Sequence, residues 1–187
     1  MCGRYWIEAE ENTRIQQIVG ALVSGGAQVK TAGEIFPGDR VPVLCKSRAG
    51  NIRPFAMEWG YRMESGGRVI NARSESAANK PMFRDGMRQR RCLLPMSAYF
   101  EWANTLEGRV KYRIAPAEDA GLICLAGLYR FEQDAPVCTV LTTAARREIA
   151  MIHPRMPVIL TEAEGEAWLN GAELDCNRSM AMAFRQA

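Results

Sequence analysis

Long hydrophobic runs are missing from the 187-residue chain, and no apolar stretch approaches the roughly 20 residues that a membrane-spanning helix needs. The first residues also lack the basic start and apolar run of a secretion signal. The six cysteines contain no CxxC pair and His153 is the only histidine, so a zinc site of ordinary spacing is not expected. Neither an internal repeat nor a long Pro/Gly/Ser linker interrupts the sequence. We therefore expect one domain over residues 1–187, in the cytoplasm and away from membranes, with reduced thiols.

Lysine is scarce, because only four of the 24 basic residues are Lys and the other 20 are Arg. Residues 46–91 hold eleven Lys or Arg and four Asp or Glu, whereas the whole chain has a net charge of +3. Arg grips phosphate oxygens in pairs through its planar guanidinium, so this segment favours an anionic partner such as nucleic acid. An Arg-rich genome or simple solubility explains the same composition equally well.

Apolar periodicity predicts an α+β fold. Helical spacing covers residues 10–23, 161–169 and 176–184, and Thr161 followed by Glu164 resembles a capping box. Short apolar or alternating runs predict strands at residues 41–45, 52–59, 92–94, 110–114, 122–129 and 137–142. Because the strands follow one another instead of alternating with helices, we expect a mostly antiparallel bent sheet or open barrel flanked by helices.

Cys2 is the first candidate for chemistry. We expect Met1 to be removed in the cell because the side chain after it is small, which leaves a free α-amine beside the Cys2 thiol. Such an amine has a reference pKa of about 7.7 to 8.0 and condenses with aldehydes, and the adjacent thiol then closes a five-membered thiazolidine. The same start also suits an N-terminal nucleophile hydrolase or a class II glutamine amidotransferase. An incidental cysteine at the start of a strand is the other interpretation.

His153 is a candidate for proton transfer. It lies in a loop between a predicted strand and a predicted helix, and Pro154 and Pro157 keep this loop irregular. Arg155, two residues further on, is suited to hold a phosphate beside the histidine. A histidine with a purely structural role is the alternative.

Glu101 is the second candidate, in the run AYFEW at residues 98–102. Aromatic surroundings raise the pKa of a carboxyl group and suit it to exchange a proton near neutral pH. If the run is a strand, alternation places Tyr99 and Glu101 on one face and Phe100 and Trp102 on the other. A solvent-facing carboxylate on that strand is therefore the alternative.

Asn71 begins the run NARSE at residues 71–75, and its amide is suited to orient a substrate amine or a sugar hydroxyl. Arg73, two residues further on, faces the same way if the run is a strand. A polar turn is the alternative for this segment.

Eight short stretches, in order along almost the whole chain, resemble the SRAP family, named for SOS response-associated peptidase. They are MCGRY (1–5), FPG (36–38), WG (59–60), NARSE (71–75), MF (82–83), FEW (100–102), TTAA (142–145) and HPRMPVIL (153–160). Members of this family shield abasic sites in single-stranded DNA by covalent crosslinking. The chain departs from the family at Glu34, where an Asn is often present.

The resemblance implies that Cys2 is the crosslinking residue, that Glu101 and His153 form an acid/base pair, and that Asn71 orients the reacting amine and sugar. It also implies that three arginines make phosphate or positioning contacts: Arg4, Arg73 and Arg155. The residues that would stack on or splay the bases are Trp102, Met82 and Phe83. The implied protein is a monomer with a lyase-like activity on abasic single-stranded DNA, associated with the nucleoid when bound. It requires no metal or organic cofactor.

Two other functions compete with crosslinking. Cys2 with Glu101 and His153 also suits a thiol peptidase, including one that removes its own Met1. A glutaminase fits less well because 187 residues leave little room for a synthase domain. A non-covalent single-stranded DNA-binding module, in which Cys2 plays no part, is the third possibility.

Overall fold

The computed structural model describes residues 2–10, 12–106, 108–118, 120–174 and 180–187. The helices within these ranges are α1 (Thr13–Ser24), α2 (Ser74–Ala77), α3 (Pro81–Gln89), α4 (Arg147–Ala150) and α5 (Glu162–Leu169). The strands are β1 (Arg4–Glu8), β2 (Ala32–Ile35), β3 (Arg40–Lys46), β4 (Ile52–Trp59), β5 (Tyr61–Arg62), β6 (Arg68–Val69), β7 (Asn71–Arg73), β8 (Arg91–Met96), β9 (Ala98–Thr105), β10 (Gly108–Pro116), β11 (Ile123–Glu132), β12 (Ala135–Ala144), β13 (Arg155–Pro157), β14 (Ile159–Thr161) and β15 (Met182–Gln186).

Five strands of the larger sheet close into a barrel. β4 pairs with β3, β3 with β8, β8 with β11 and β11 with β12, all antiparallel, and a parallel pairing of β12 with β4 completes the ring. β13 and β7 join β12, and β14 joins β11. The predicted α+β fold, with a mostly antiparallel sheet and flanking helices, is confirmed, and the barrel is closed rather than open.

Close packing between the strands of this barrel depends on Gly127 in β11. A Cβ atom there would lie 2.7 Å from Cδ1 of Leu94 and 2.8 Å from the carbonyl oxygen of Thr139. Both distances are shorter than real Cβ contacts, so only glycine fits without displacing a neighbouring strand.

A second sheet, in the order β15-β10-β9-β1-β2, packs against the barrel. Its strands are antiparallel, and Tyr5 of β1 lies directly opposite Tyr99 of β9. Both tyrosines are fully buried, and the Tyr5 ring meets Trp59 of the barrel edge-on at 5.3 Å between ring centroids. The inner face of the second sheet therefore shares one hydrophobic core with the barrel.

Two of the predicted helices are present as α1 and α5, and each begins with a capping residue. The Asn12 side chain accepts hydrogen bonds from the backbone of Arg14 and Ile15 at the start of α1. Thr161 and Glu164 form the predicted capping box at the start of α5. Every predicted strand is present, and residues 52–59 match β4 at both ends.

One predicted helix is wrong, and three helices were not predicted. Residues 182–184 of the segment expected to be helical belong to strand β15, which pairs with β10, and residues 176–179 lie outside the described residues. The unpredicted helices are α2, α3 and α4. Helix α3 buries Phe83 and Gly86, half-buries Met87 and otherwise carries exposed side chains. Among the described residues, no helix is long and apolar enough to cross a membrane.

Candidate active site

Cys2 lies two residues before β1, and its side chain is fully buried in the common core. The thiol donates a long hydrogen bond to the carbonyl oxygen of Arg4, with 3.8 Å between Sγ and O. Burial raises the pKa of the Cys2 thiol well above its usual range, and the nearby charge of Glu101 raises it further. The thiol is therefore protonated at neutral pH and needs a neighbouring base before its sulfur can act as a nucleophile.

Glu101 stands in the middle of β9, on the inner face that the second sheet turns toward the barrel. Its side chain shares this face with Tyr99, as alternation along a strand requires. The residue is only 2% exposed, which rules out the solvent-facing alternative. Burial raises the pKa of the Glu101 carboxyl group, and the adjacent His153 partly opposes this rise. A raised pKa favours the protonated carboxyl group, which can act as a proton donor.

His153 meets Glu101 from the loop between α4 and β13. Nδ1 of the imidazole lies 3.9 Å from Oε1 of Glu101. The same Nδ1 lies 3.0 Å from both the backbone nitrogen and the carbonyl oxygen of Arg155. A neutral Nδ1 accepts the Arg155 N–H, and a protonated Nδ1 donates to the carbonyl, so the backbone supports either state of the ring.

Asn71 connects the barrel to the Cys2 backbone. It begins β7, which runs parallel to β12, and its Nδ2 donates to the carbonyl oxygen of Cys2 at 2.8 Å. Its Oδ1 is buried and has no hydrogen-bond partner within the part of the chain that the structure describes. A buried acceptor without a partner is costly, so the side chain is suited to receive a hydrogen bond from a substrate group.

Arg155 forms an internal ion pair instead of projecting freely. Its guanidinium donates to both oxygens of Glu75, at 2.7 and 2.9 Å, and to the carbonyl of Thr142 at 2.7 Å. The hydrogen bond from Arg155 lowers the pKa of Glu75 to about 2. Because the Arg155 backbone contacts the His153 ring, this ion pair helps to orient the histidine. A phosphate contact by Arg155 stays a prediction.

A separate cluster of cations and aromatic rings covers the outer face of the second sheet. Arg4 stacks over the Phe36 ring at 3.7 Å from its centroid and lies 5.9 Å from the centroid of Trp102. Glu34 accepts hydrogen bonds from Arg4 at 3.1 Å and from Lys111 at 2.8 Å, and these contacts lower the pKa of its carboxyl group against the effect of burial. The unusual Glu34 thus neutralises part of a basic surface.

The remaining predicted contacts differ in exposure. Arg73 is exposed, and no described carboxylate forms an ion pair with it. Met82, at the start of α3, is 37% exposed and available to a ligand. Phe83 is only 5% exposed and packs against Tyr61 at 6.1 Å between ring centroids, so it lies in the core, and a base contact by Phe83 stays an untested prediction.

The structure thus brings Cys2, Asn71, Glu101 and His153 together and places Arg4 and Trp102 on the outer face. Sequence reasoning missed Glu75 as the partner of Arg155, although it lies within the NARSE run. The described residues contain no group of three or more His, Cys, Asp or Glu side chains that could hold a metal ion.

Comparison with known proteins agrees with the sequence resemblance. The model of the SOS response associated peptidase (SRAP) family matches residues 1–186. The abasic site processing protein YoqW of Bacillus subtilis is 28% identical over 187 residues, which cover 94% of this chain and 83% of YoqW. The abasic site processing protein YedK of Escherichia coli is 26% identical over 140 residues, which cover 72% of this chain and 63% of YedK.

Solved structures share the fold. A protein from Bordetella bronchiseptica superposes with a TM-score of 0.77 at 20% identity, covering 100% of this chain and 99% of that one. A protein from Bacteroides thetaiotaomicron gives a TM-score of 0.77 at 21% identity, with 99% and 91% covered. With a family match over nearly its full length, the chain belongs to the SOS response associated peptidase family.

Proposed function

We propose that this protein recognises abasic sites in single-stranded DNA and crosslinks to them through a thiazolidine at Cys2, after removal of Met1. The relatives named as abasic site processing proteins support action on such sites. The observation that carries the proposal is the convergence on Cys2 of a buried carboxyl group, an imidazole and an amide. Glu101 lies within 3.9 Å of His153, and Asn71 binds the Cys2 carbonyl.

The reaction begins with the aldehyde of the ring-opened abasic sugar. The neutral α-amine of Cys2 adds to the carbonyl carbon, which forms a C–N bond and a carbinolamine. Glu101 or His153 then supplies the proton with which the hydroxyl group leaves as water, and this gives a protonated imine and the conjugate base of the acid. The raised pKa of Glu101 favours the protonated carboxyl group that such a step requires.

Ring closure uses the Cys2 thiol. Sulfur attacks the carbon of the protonated imine and forms the C–S bond, while the S–H proton passes to the base that the previous step left and the nitrogen keeps its proton as the N–H of the ring. No further atom is lost, so the thiazolidine contains protein and DNA less one water. The buried thiol is protonated at neutral pH, which is why a base at Glu101 or His153 is needed here.

Cations bind the DNA phosphates and give no base specificity. Arg4 and Arg73 are the proposed phosphate contacts, and Trp102 and Met82 are the proposed base contacts. Arg155 acts as a positioning residue for His153 through its ion pair with Glu75. A monomeric state, a cytoplasmic location and association with the nucleoid stay predictions.

A denaturing gel tests the proposal. Protein whose Met1 is verified absent by mass spectrometry is incubated with single-stranded DNA that contains one abasic site, or with an intact strand. We expect a slow band with the abasic strand only, lost in Cys2→Ala and kept in the control Cys45→Ala, which alters another buried cysteine. No band from correctly processed protein would contradict the proposal.

The other candidate functions give different results in the same experiment. A non-covalent module would bind intact and abasic strands alike, with no dependence on Cys2. A self-acting peptidase predicts that Met1 stays on the chain in Cys2→Ala and Glu101→Gln, which intact mass measurement detects.

A further inference from the structure

A groove extends from the candidate active site along α3. Its lining begins at Glu75, the carboxylate that holds Arg155, and continues past Asn79 to Arg84 and Arg88 on α3. The groove has a volume of about 660 Å³ and opens to solvent along its length. A chain bound at the active site can therefore continue into this groove without leaving the protein surface.

Three cations at α3 form no ion pair with the carboxylates that the structure describes. Lys80 just before the helix and Arg84 and Arg88 within it follow one another at intervals of four residues, so they share one helix face. All three are exposed, and within the described ranges no carboxylate forms an ion pair with any of them. Like charges at this spacing oppose helix formation, and no ion pair among the described residues offsets the cost of the row formed by Lys80, Arg84 and Arg88.

Apolar side chains line the groove between its charged residues. The half-buried Met87 and Leu174 contribute this apolar surface, whereas Trp168 in the groove wall is only 2% exposed. Arg91 has a structural role, because it stacks on Trp168 at 4.0 Å and donates to three backbone carbonyls. Cations beside an apolar surface are the arrangement that binds a single strand, with phosphates on the cations and bases on the apolar groups.

We propose that this α3 groove binds the phosphate backbone of the single-stranded DNA that continues from the abasic site. Four residues of helix span about 6 Å, close to the distance between successive phosphates of an extended strand. A chain of phosphates therefore matches the row better than one small anion does. The inference rests on the proposed function, since it extends the same ligand beyond the reacting sugar.

The test compares Arg84→Gln/Arg88→Gln with Arg53→Gln/Arg185→Gln, a control that removes the same charge from exposed residues outside the groove. Binding to a long intact single strand is measured by fluorescence anisotropy across salt concentrations. Loss of two phosphate contacts predicts a salt slope smaller by about 1.4 and an affinity about 25-fold lower at 0.1 M salt. The control double variant is expected to bind like the native protein.

Crosslinking separates the two proposals. A short abasic strand, with only a few nucleotides on each side of the lesion, does not reach the groove. Saturating amounts of it are expected to crosslink to the groove variant as fast as to the native protein. Unchanged binding of the long strand by the groove variant, or an equal loss in the control, would overturn the groove proposal whatever the crosslinking result. Absence of crosslinking by native protein would instead reject the proposed function, and the salt slope would still decide on the groove.

Discussion

Replacing Glu75 by Gln removes one charge from the ion pair that holds Arg155 behind His153. The pKa of Glu75 falls from 4.5 to about 2 in the folded protein, chiefly through its hydrogen bond with Arg155. A shift of that size corresponds to roughly 3 kcal/mol at 1.36 kcal/mol per unit. Because half of the Glu75 side chain is exposed, solvent screening reduces the expected contribution to about 1 kcal/mol. Glu75→Gln is therefore expected to lower the Tm by roughly 2 to 4 °C at pH 7.

The pH dependence follows from the lowered pKa. A carboxylate with a depressed folded-state pKa stabilises the fold fully above about pH 4.5, and this stability is lost as the pH falls toward 2. Thermal unfolding followed by circular dichroism at pH 7 and pH 2 should show the difference between native protein and variant shrinking at the lower pH. Glu162→Gln is the control: it removes an ion pair with Arg14, whose side chain is 55% exposed against 17% for Arg155, so it should change the Tm less. Equal Tm values for native protein and Glu75→Gln at pH 7, or a difference that persists at pH 2, would refute this reasoning.

Three further substitutions test other parts of the account. Glu101→Gln should slow crosslinking by about 100-fold or more on the gel without lowering the Tm, since Gln has the same size as the protonated carboxyl group but cannot exchange a proton; an unchanged rate excludes Glu101 as the acid/base group. Glu34→Gln should strengthen single-stranded DNA binding and steepen its salt dependence by freeing Arg4 and Lys111, and weaker binding contradicts this. Gly127→Ala should destabilise the fold by about 1 to 3 kcal/mol in urea unfolding, whereas Gly20→Ala, in open space on α1, should not.

Much of the fold follows from local patterns in the sequence. Alternation in AYFEW correctly separated Glu101 and Trp102 onto opposite faces of β9. It left open which face was buried, because that depends on the packing of the second sheet against the barrel. The segment that contains β15 was mistaken for a helix because its apolar residues fit both periods. Met180 and Phe184 have helical spacing, and Met180, Met182 and Phe184 also alternate as in a strand. Only pairing with β10, far away in sequence, decides between helix and strand.

Contacts between distant residues explain what sequence reasoning missed at the site. Asn71 and Cys2 are 69 residues apart, and Arg155 and Glu75 are 80 apart, so no local pattern pairs them. Helix α3 was missed because its inward face consists only of Phe83, Gly86 and Met87, which is too short a group to stand out among the surrounding polar and charged residues.

The mass of the crosslinked product tests the central claim most directly. Protein that starts at Cys2 is reacted with abasic single-stranded DNA, treated with borohydride, denatured and weighed intact. A thiazolidine predicts the sum of protein and DNA less one water, unchanged by borohydride, because sulfur has already saturated the imine carbon. A product that gains two hydrogens on reduction would show an imine without the Cys2 sulfur, and a borohydride-resistant product from Cys2→Ala, equal to that variant plus DNA less one water, would contradict the account.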